Sequence, residues 1–206
     1  SALTVSGRSW GEMLDEWEVG ERRRRFREIL MEKEQVEADE VIMSPTRAKE
    51  HGLTSTVTFP KGNLAPEGAV IKSTAIDPSV VDSNGVCRME GVAKVFASEA
   101  SAIEAIRADQ IHAGDVMVLA GIGPMGTGME EIYQVTSALK HLPFGKYVAV
   151  VTDGRFSGVS TGACIGHVGP EALAGGPIGR VRDGDVIRIV IDCNKNTGTV
   201  DLVSQG

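Results

Sequence analysis

The run Val151-Thr152-Asp153-Gly154-Arg155-Phe156-Ser157-Gly158-Val159-Ser160-Thr161-Gly162 sets a serine between glycines at the end of an apolar stretch. Small flanking residues let a serine hydroxyl project into a cleft, and free backbone amides beyond it can stabilise an alkoxide or a substrate carboxylate. A serine acts as base or nucleophile at neutral pH only with strong local help from a cation or a metal ion. Gly154 to Gly158 reads G-R-F-S-G, which does not match the G-x-S-x-G elbow of a serine hydrolase. An ordinary turn serine is the alternative.

A second glycine loop precedes it. Gly121-Ile122-Gly123-Pro124-Met125-Gly126 spells G-x-G-x-x-G after an apolar run and before an expected helix from Glu130 to about Lys140. Such glycines allow close approach of an anion to a helix N-terminus. Asp153 ends the following strand, where a ribose-binding carboxylate would sit. It lies about thirty residues after the motif, however, whereas the fingerprint places its acid roughly 20 residues on. The chain beyond that strand also lacks a second βαβαβ half, so dinucleotide binding is disfavoured. Glu130 and Glu131 fall in the expected first helical turn, where carboxylates serve either a bound cation or simply the helix dipole.

The other reactive side chains are scattered. Among His51, His112, His141 and His167 there is no H-E-x-x-H or His/Cys cluster, and Cys87, Cys164 and Cys193 have no C-x-x-C spacing. A zinc site or disulfide framework is therefore not expected, and the thiols read as reduced, as in a cytoplasmic protein. His167 lies nearest the serine run and reads either as a packed, hydrogen-bonded histidine or as a site residue. Arg22 to Arg25 form a basic run flanked by Glu18, Glu21 and Glu28, which fits a solvated helix face.

The elements that must hold these groups follow from composition and periodicity. The 206 residues carry 21 Lys+Arg against 28 Asp+Glu, a net charge of −7, with 42% hydrophobic residues, which is an ordinary globular balance. The acidic balance argues against non-specific nucleic-acid binding. No apolar run reaches the roughly 20 residues that span a bilayer, and Ser1 to Arg8 lack the apolar stretch of a secretory signal. Residues 1 to about 60 are charged and helix-prone, with Met13, Leu14, Trp17, Phe26, Ile29 and Leu30 at three- and four-residue steps. Ser44-Pro45 marks a turn or a helix start. From about residue 61, strands are expected at 69–72, 92–96, 116–119, 147–151, 186–191 and 199–203. A helix capped by Ser98 runs to about Ala108, and another opens near Thr161. The alternation argues for an α/β architecture with a strand-rich end.

Several motifs in register resemble the dihydroxy-acid and phosphogluconate dehydratases. They are Gly62-Asn63-Leu64-Ala65-Pro66-Glu67-Gly68, Gly123-Pro124-Met125-Gly126-Thr127-Gly128-Met129, Thr152 to Gly158, Ile165-Gly166-His167-Val168, Pro170-Glu171-Ala172, Gly175-Gly176-Pro177-Ile178 and Asp183-Gly184-Asp185. Their order and spacing agree from about residue 61 to 192, and the charged segment before Gly62 is similar to the sugar-acid, xylonate-dehydratase-like branch.

The resemblance implies the C-terminal part of a longer cytoplasmic hydro-lyase: a swivelling β/β/α domain at 61–206, like the mobile domain of aconitases, behind a helical extension at 1–60. It implies an iron–sulfur cluster whose ligands lie outside this segment, and Mg2+. The expected partners are the cluster-binding N-terminal domain and a small sugar-acid substrate, in a homo-oligomer, with no nucleic acid and no membrane. By motif, Ser157 is the alkoxide base that removes the substrate C2 proton, and Glu131 is a magnesium ligand. Ser160, Thr161 and Arg155 are substrate contacts. Gly128-Met129-Glu130-Glu131-Ile132 departs from the family's commoner Gly-Met-Pro-Glu-Met, so Glu130 is the competing ligand. Val159 stands where some pentonate-active relatives have threonine. A carrier or interaction module using His167, and a dinucleotide-binding domain, are the competing classes.

Overall fold

A computed structural model describes residues 2–51 and 56–204. The chain divides into two compact units, residues 1–53 and 54–206.

In the first unit, helix α1 spans Trp10–Val19 and starts with a capping box in which Ser9 and Glu12 satisfy each other's backbone amides. Helix α2 (Glu21–Ile29) continues beyond Gly20 into a π-helical turn at Leu30–Glu34. Two short helices follow, α3 (Ala38–Val41) and α4 (Pro45–Glu50), the latter capped by Ser44 with Pro45 in its first turn. None of these helices has a buried residue. The arginine run is neutralised locally: Arg23 pairs with Glu18, and Arg24 and Arg25 both reach Glu28. Exposed pairs of this kind contribute about 0–1 kcal/mol each, and they account for the arginines without an external anion.

The second unit is built on one seven-stranded sheet, ordered β1-β5-β4-β3-β2-β6-β7. Its strands are β1 Gly68–Ile71, β2 Val86–Phe96, β3 Val116–Leu119, β4 Ala149–Thr152, β5 Ala163–Gly169, β6 Val186–Asp192 and β7 Thr197–Ser204. The centre is parallel (β2, β3, β4, β5) and the flanks are antiparallel. Strands β3 and β4 are buried along their whole length, as central parallel strands covered on both faces must be. Period-2 alternation sends Val116, Val118, Ala149, Val151 and Ile165 to one apolar cluster, and Met117, Leu119, Val150 and Cys164 to the other. Helices α5 (Glu99–Arg107) and α6 (Tyr133–Lys140) cover the second face through Ala102, Ala105, Val135 and Leu139.

The first face is covered by the sheet itself. Ile187, Ile189 and Ile191 of β6 and Val200 of β7 share one cluster with Ile71 of β1 and Ile165 of β5. The strand next to β1 explains the curl. Thr58 exchanges two backbone hydrogen bonds with Ile71, while Lys61 donates to Gly198 and accepts from Val200. Segment 58–61 thus bridges β1 at one edge to β7 at the other, which leaves few unpaired edge groups. Strand β2 is the hinge of the curl. Its residues 86–92 pair with β6 and 93–96 with β3.

Two expectations are corrected. The helix anticipated from Glu130 begins at Tyr133, so Glu130 and Glu131 precede it, and the buried Glu99 of α5 accepts the Val135 amide there instead. The residues after Thr161 form β5, not a helix. Ala163-Cys164-Ile165 is a short apolar run that the central sheet claims as its fourth parallel strand. Among the described residues, no helix is long and apolar enough to cross a membrane.

The point where β2 changes partner admits no side chain. A Cβ on Gly91 would lie 1.8 Å from the Gly114 carbonyl oxygen. Gly91→Ala is expected to destabilise the chain by about 1–3 kcal/mol, the usual cost of overpacking, read as a lower urea midpoint with an unchanged slope.

Candidate active site

The two glycine loops meet at the ends of β3 and β4. Parallel register places Leu119 beside Thr152, so the chain leaves the sheet at Ala120 and at Asp153 on the same edge, the usual place for a site in a parallel sheet. Asp153, 1% exposed, binds the loops together. Its carboxylate accepts from the Gly121 amide (3.0 Å), the Ile122 amide (3.1 Å) and the Ala172 amide (2.9 Å). The Glu171 carboxylate accepts from the Met125 amide at 3.0 and 3.1 Å.

These bonds decide the meaning of the G-x-G-x-x-G run. Gly121 takes a positive φ of 84°. A Cβ on Gly123 would meet the Glu171 carboxylate, and one on Gly126 would lie 2.0 Å from the Gly121 carbonyl. The Gly121, Ile122 and Met125 amides that a pyrophosphate would need are taken by the protein's own carboxylates, and those of Gly126 and Thr127 by the Gly123 carbonyl. Asp153 is a buried acceptor with no free face for a ribose. The dinucleotide reading is set aside on this geometry.

Glu131 and the serine run are brought together by a short parallel bridge. The Arg155 amide donates to the Glu130 carbonyl (3.1 Å), and the Ile132 amide donates to the Arg155 carbonyl (2.9 Å). Across it the Arg155 guanidinium lies 3.3 Å from the Glu131 carboxylate, and its Nε donates to the Met129 carbonyl at 3.2 Å. Glu130 is exposed beside this pair. Gly154 is needed here because a Cβ would press on the Glu130 carbonyl and the Ile122 side chain.

Ser157 follows two residues after Arg155 and is half-buried. Its Oγ accepts from the Val159 amide (3.3 Å) and its carbonyl from the Ser160 amide (2.9 Å), an ST-type turn. Phe156 lies over the Gly166 backbone and meets the exposed His167 ring edge-on at 5.9 Å. Partial burial, and secondarily the Arg155 charge, push the His167 pKa below its ordinary value.

Ser160 and Thr161 look elsewhere. Ser160 is buried, and its hydroxyl accepts from Thr136 of α6 at 3.1 Å. Both residues line a cavity of about 590 Å3 with Lys72, Asp77, Lys140 and Lys146, and that lining does not include Arg155, Ser157 or Glu131. The structure therefore pairs Glu131 with Arg155 across one bridge, leaves Ser157 in the turn two residues on, and sets Ser160 and Thr161 against a separate cavity. Asp153, Glu171 and Thr136 carry the local architecture. Of these, sequence pattern flagged only Asp153, and for a different role.

The described residues contain no group of three His, Cys, Asp or Glu side chains placed to hold a metal ion. Glu131 is a single carboxylate, already paired. Cys87 and Cys164 are buried free thiols with pKa values pushed up by desolvation to about 11 and about 12, and burial likewise raises Cys193. Thiols held protonated in this way are poor cluster ligands. By itself the segment fits neither a magnesium centre nor an iron–sulfur cluster.

The loops and the sheet they leave belong to one family: residues 40–205 match the family described as Dihydroxy-acid/6-phosphogluconate dehydratase C-terminal, and the chain is a member of it. Among particular relatives, it is 64% identical over 201 residues to the D-xylonate dehydratase YjhG of Escherichia coli (strain K12), covering 98% of this chain and 31% of that protein. It is 59% identical to the D-xylonate dehydratase YagF of the same strain, with the same coverage of both chains. The dihydroxy-acid dehydratase of Caldanaerobacter subterraneus is 42% identical over 94% of this chain and 31% of its own length. The chain thus spans about a third of the length of these relatives.

Asp153→Asn keeps the volume but turns a donor toward backbone amides. It is expected to cost about 1–3 kcal/mol of folding stability, measured by urea denaturation.

Proposed function

We propose that the chain is the C-terminal domain of an iron–sulfur, magnesium-dependent hydro-lyase. The enzyme would convert a 2,3-dihydroxy sugar acid, an aldonate such as xylonate, to the 2-keto-3-deoxy acid. The observation that carries this reading is the Glu131–Arg155 bridge, which pairs a carboxylate with a guanidinium whose own residue stands two before a half-buried serine in a glycine-bracketed turn. The names of the relatives at 64% and 59% identity support the substrate class.

In this reading Ser157 Oγ, deprotonated, takes the C2 proton of the substrate. The C2 electron pair forms the C2=C3 bond as the C3–O bond breaks, the departing hydroxide takes back the proton held on Ser157 Oγ and leaves as water, and the enol tautomerises to the ketone. The cluster and the magnesium ion, held chiefly by the rest of the longer protein, supply Lewis acidity when bound. Glu131 would contribute at most one carboxylate to that ion, the other ligands coming from outside this segment. Arg155, once its partner is engaged elsewhere, offers a guanidinium to the substrate carboxylate. Ser160 and Thr161 serve the substrate from behind the turn. The curled sheet with its two covering helices is read as a swivelling β/β/α domain like the mobile domain of aconitases, spanning 61–206. Residues 1–60 are read as an extension of it. The domain would work against a cluster-binding N-terminal domain in a cytoplasmic homo-oligomer.

In the loaded full-length enzyme, Ser157→Ala is expected to lower kcat by roughly 10²–10⁴-fold while iron content stays normal. Unimpaired turnover would remove Ser157 from the role. Glu131→Gln should raise the magnesium concentration needed for half-maximal activity, and Glu130→Gln should leave it unchanged. The reverse pattern would move the ligand by one residue.

A further inference from the structure

We propose that Lys72 is a positioning residue for the serine turn, tethering the Gly158–Val159 peptide. The inference rests on the reading of Ser157 as the base, and it concerns how that oxygen is kept in place. Lys72 Nζ donates to the Gly158 carbonyl at 2.6 Å. This is a charge-assisted bond, shorter and stronger than a neutral one. The carbonyl belongs to the Gly158–Val159 peptide, whose amide donates to Ser157 Oγ, and Gly158 is exposed, with open space where a Cβ would stand. The chain around Gly158 has little packing of its own, so an external anchor matters there more than at a buried residue.

The root of the lysine is well held. Lys72 leaves β1 directly after Ile71, which pairs with Ile165 of β5 on one side and exchanges two backbone hydrogen bonds with Thr58 on the other. The 3-10 turn that follows, Ser73–Ala75, takes hold of the far end of the same run: the Gly162 amide donates to the Ala75 carbonyl at 2.8 Å. Segment 72–75 therefore grips residues 158–162 at both ends, and α6 holds the middle through Thr136 and Ser160. Of the three anchors, only the one beside Ser157 is made by a flexible charged side chain. Fixing a lysine costs rotamer entropy, so the contact is one that a short, charge-assisted bond must sustain. Reactions between bound groups depend steeply on placement, and a shift on the order of 1 Å costs up to about a hundredfold in rate.

The test compares Lys72→Met and Lys72→Arg with the unaltered full-length, cofactor-loaded enzyme, using D-xylonate as substrate. Amide hydrogen exchange and steady-state kinetics are measured on each. Lys72→Met should speed exchange at the Val159 and Ser160 amides, which both bond to Ser157, with exchange along β6 unchanged. It should lower kcat roughly tenfold to a hundredfold while KM moves less than about twofold, and Lys72→Arg should restore most of the loss. Unchanged exchange at Val159 and Ser160 would overturn the tether. So would exchange rising equally along β6, which would make Lys72 a general stability residue. Ser157→Ala separates the two claims. If that variant keeps turnover while Lys72→Met still frees the turn, the serine reading falls and the tether stands. If Ser157→Ala is inactive and Lys72→Met leaves the turn protected, only the tether falls.

Discussion

A single buried carboxylate organises the loop end of this domain. Asp153 sits where β4 leaves the sheet and accepts three backbone amides, two from the loop after β3 and one from the segment after β5. Each of those amides would otherwise be an unsatisfied donor near the core, at a cost of about 1–3 kcal/mol apiece. With them paired, three connections from three parallel strands behave as one rigid rim. Glu171 extends the rim to Met125, and the glycines at 121, 123 and 126 are the positions where a Cβ would collide with it or where φ is positive.

The rim explains how a glycine-rich loop can be anion-friendly in pattern and closed in fact. A dinucleotide-type loop leaves its amides for a phosphate. Here the protein's own Asp153 and Glu171 side chains occupy those amides, so the loop is a structural clasp. Its free end, residues 128–132, is then laid against Arg155 in the bridge that sets Glu131 near the serine turn. The site is thus held from beneath by carboxylate–amide bonds and from behind by α6 and the 72–75 segment. On its other side Glu130 and Arg155 are exposed. That division suits a domain whose relatives are about three times its length.

Much of the scaffold was legible in the residues. The apolar runs at 69–72, 116–119 and 186–191 are strands to within a residue or two, because β-branched residues between glycines leave few other options. Ser98 and Ser44 cap helices as their side-chain chemistry predicts. The misreadings cluster where local pattern is ambiguous. Ala163 to Gly169 has a short apolar run that periodicity alone cannot assign. Glu130 and Glu131 have the composition of a helical first turn, yet Glu131 is drawn into a bridge with Arg155 just before the helix begins at Tyr133.

What the sequence by itself determined was the family, the α/β class and the set of residues with chemistry, since these depend on residue type and spacing along one dimension. Only the tertiary structure decided which of them meet. Asp153 pattern-matched a ribose ligand, but three amides distant in sequence claim it. Ser160 and Thr161 stand close to Ser157 in sequence, yet they turn to a separate cavity because Thr136 of α6 binds the Ser160 hydroxyl. Lys72 carried no signal at all, for its partner is 86 residues away. A hydrogen bond depends on distance and direction in space, and neither is written in the spacing of letters.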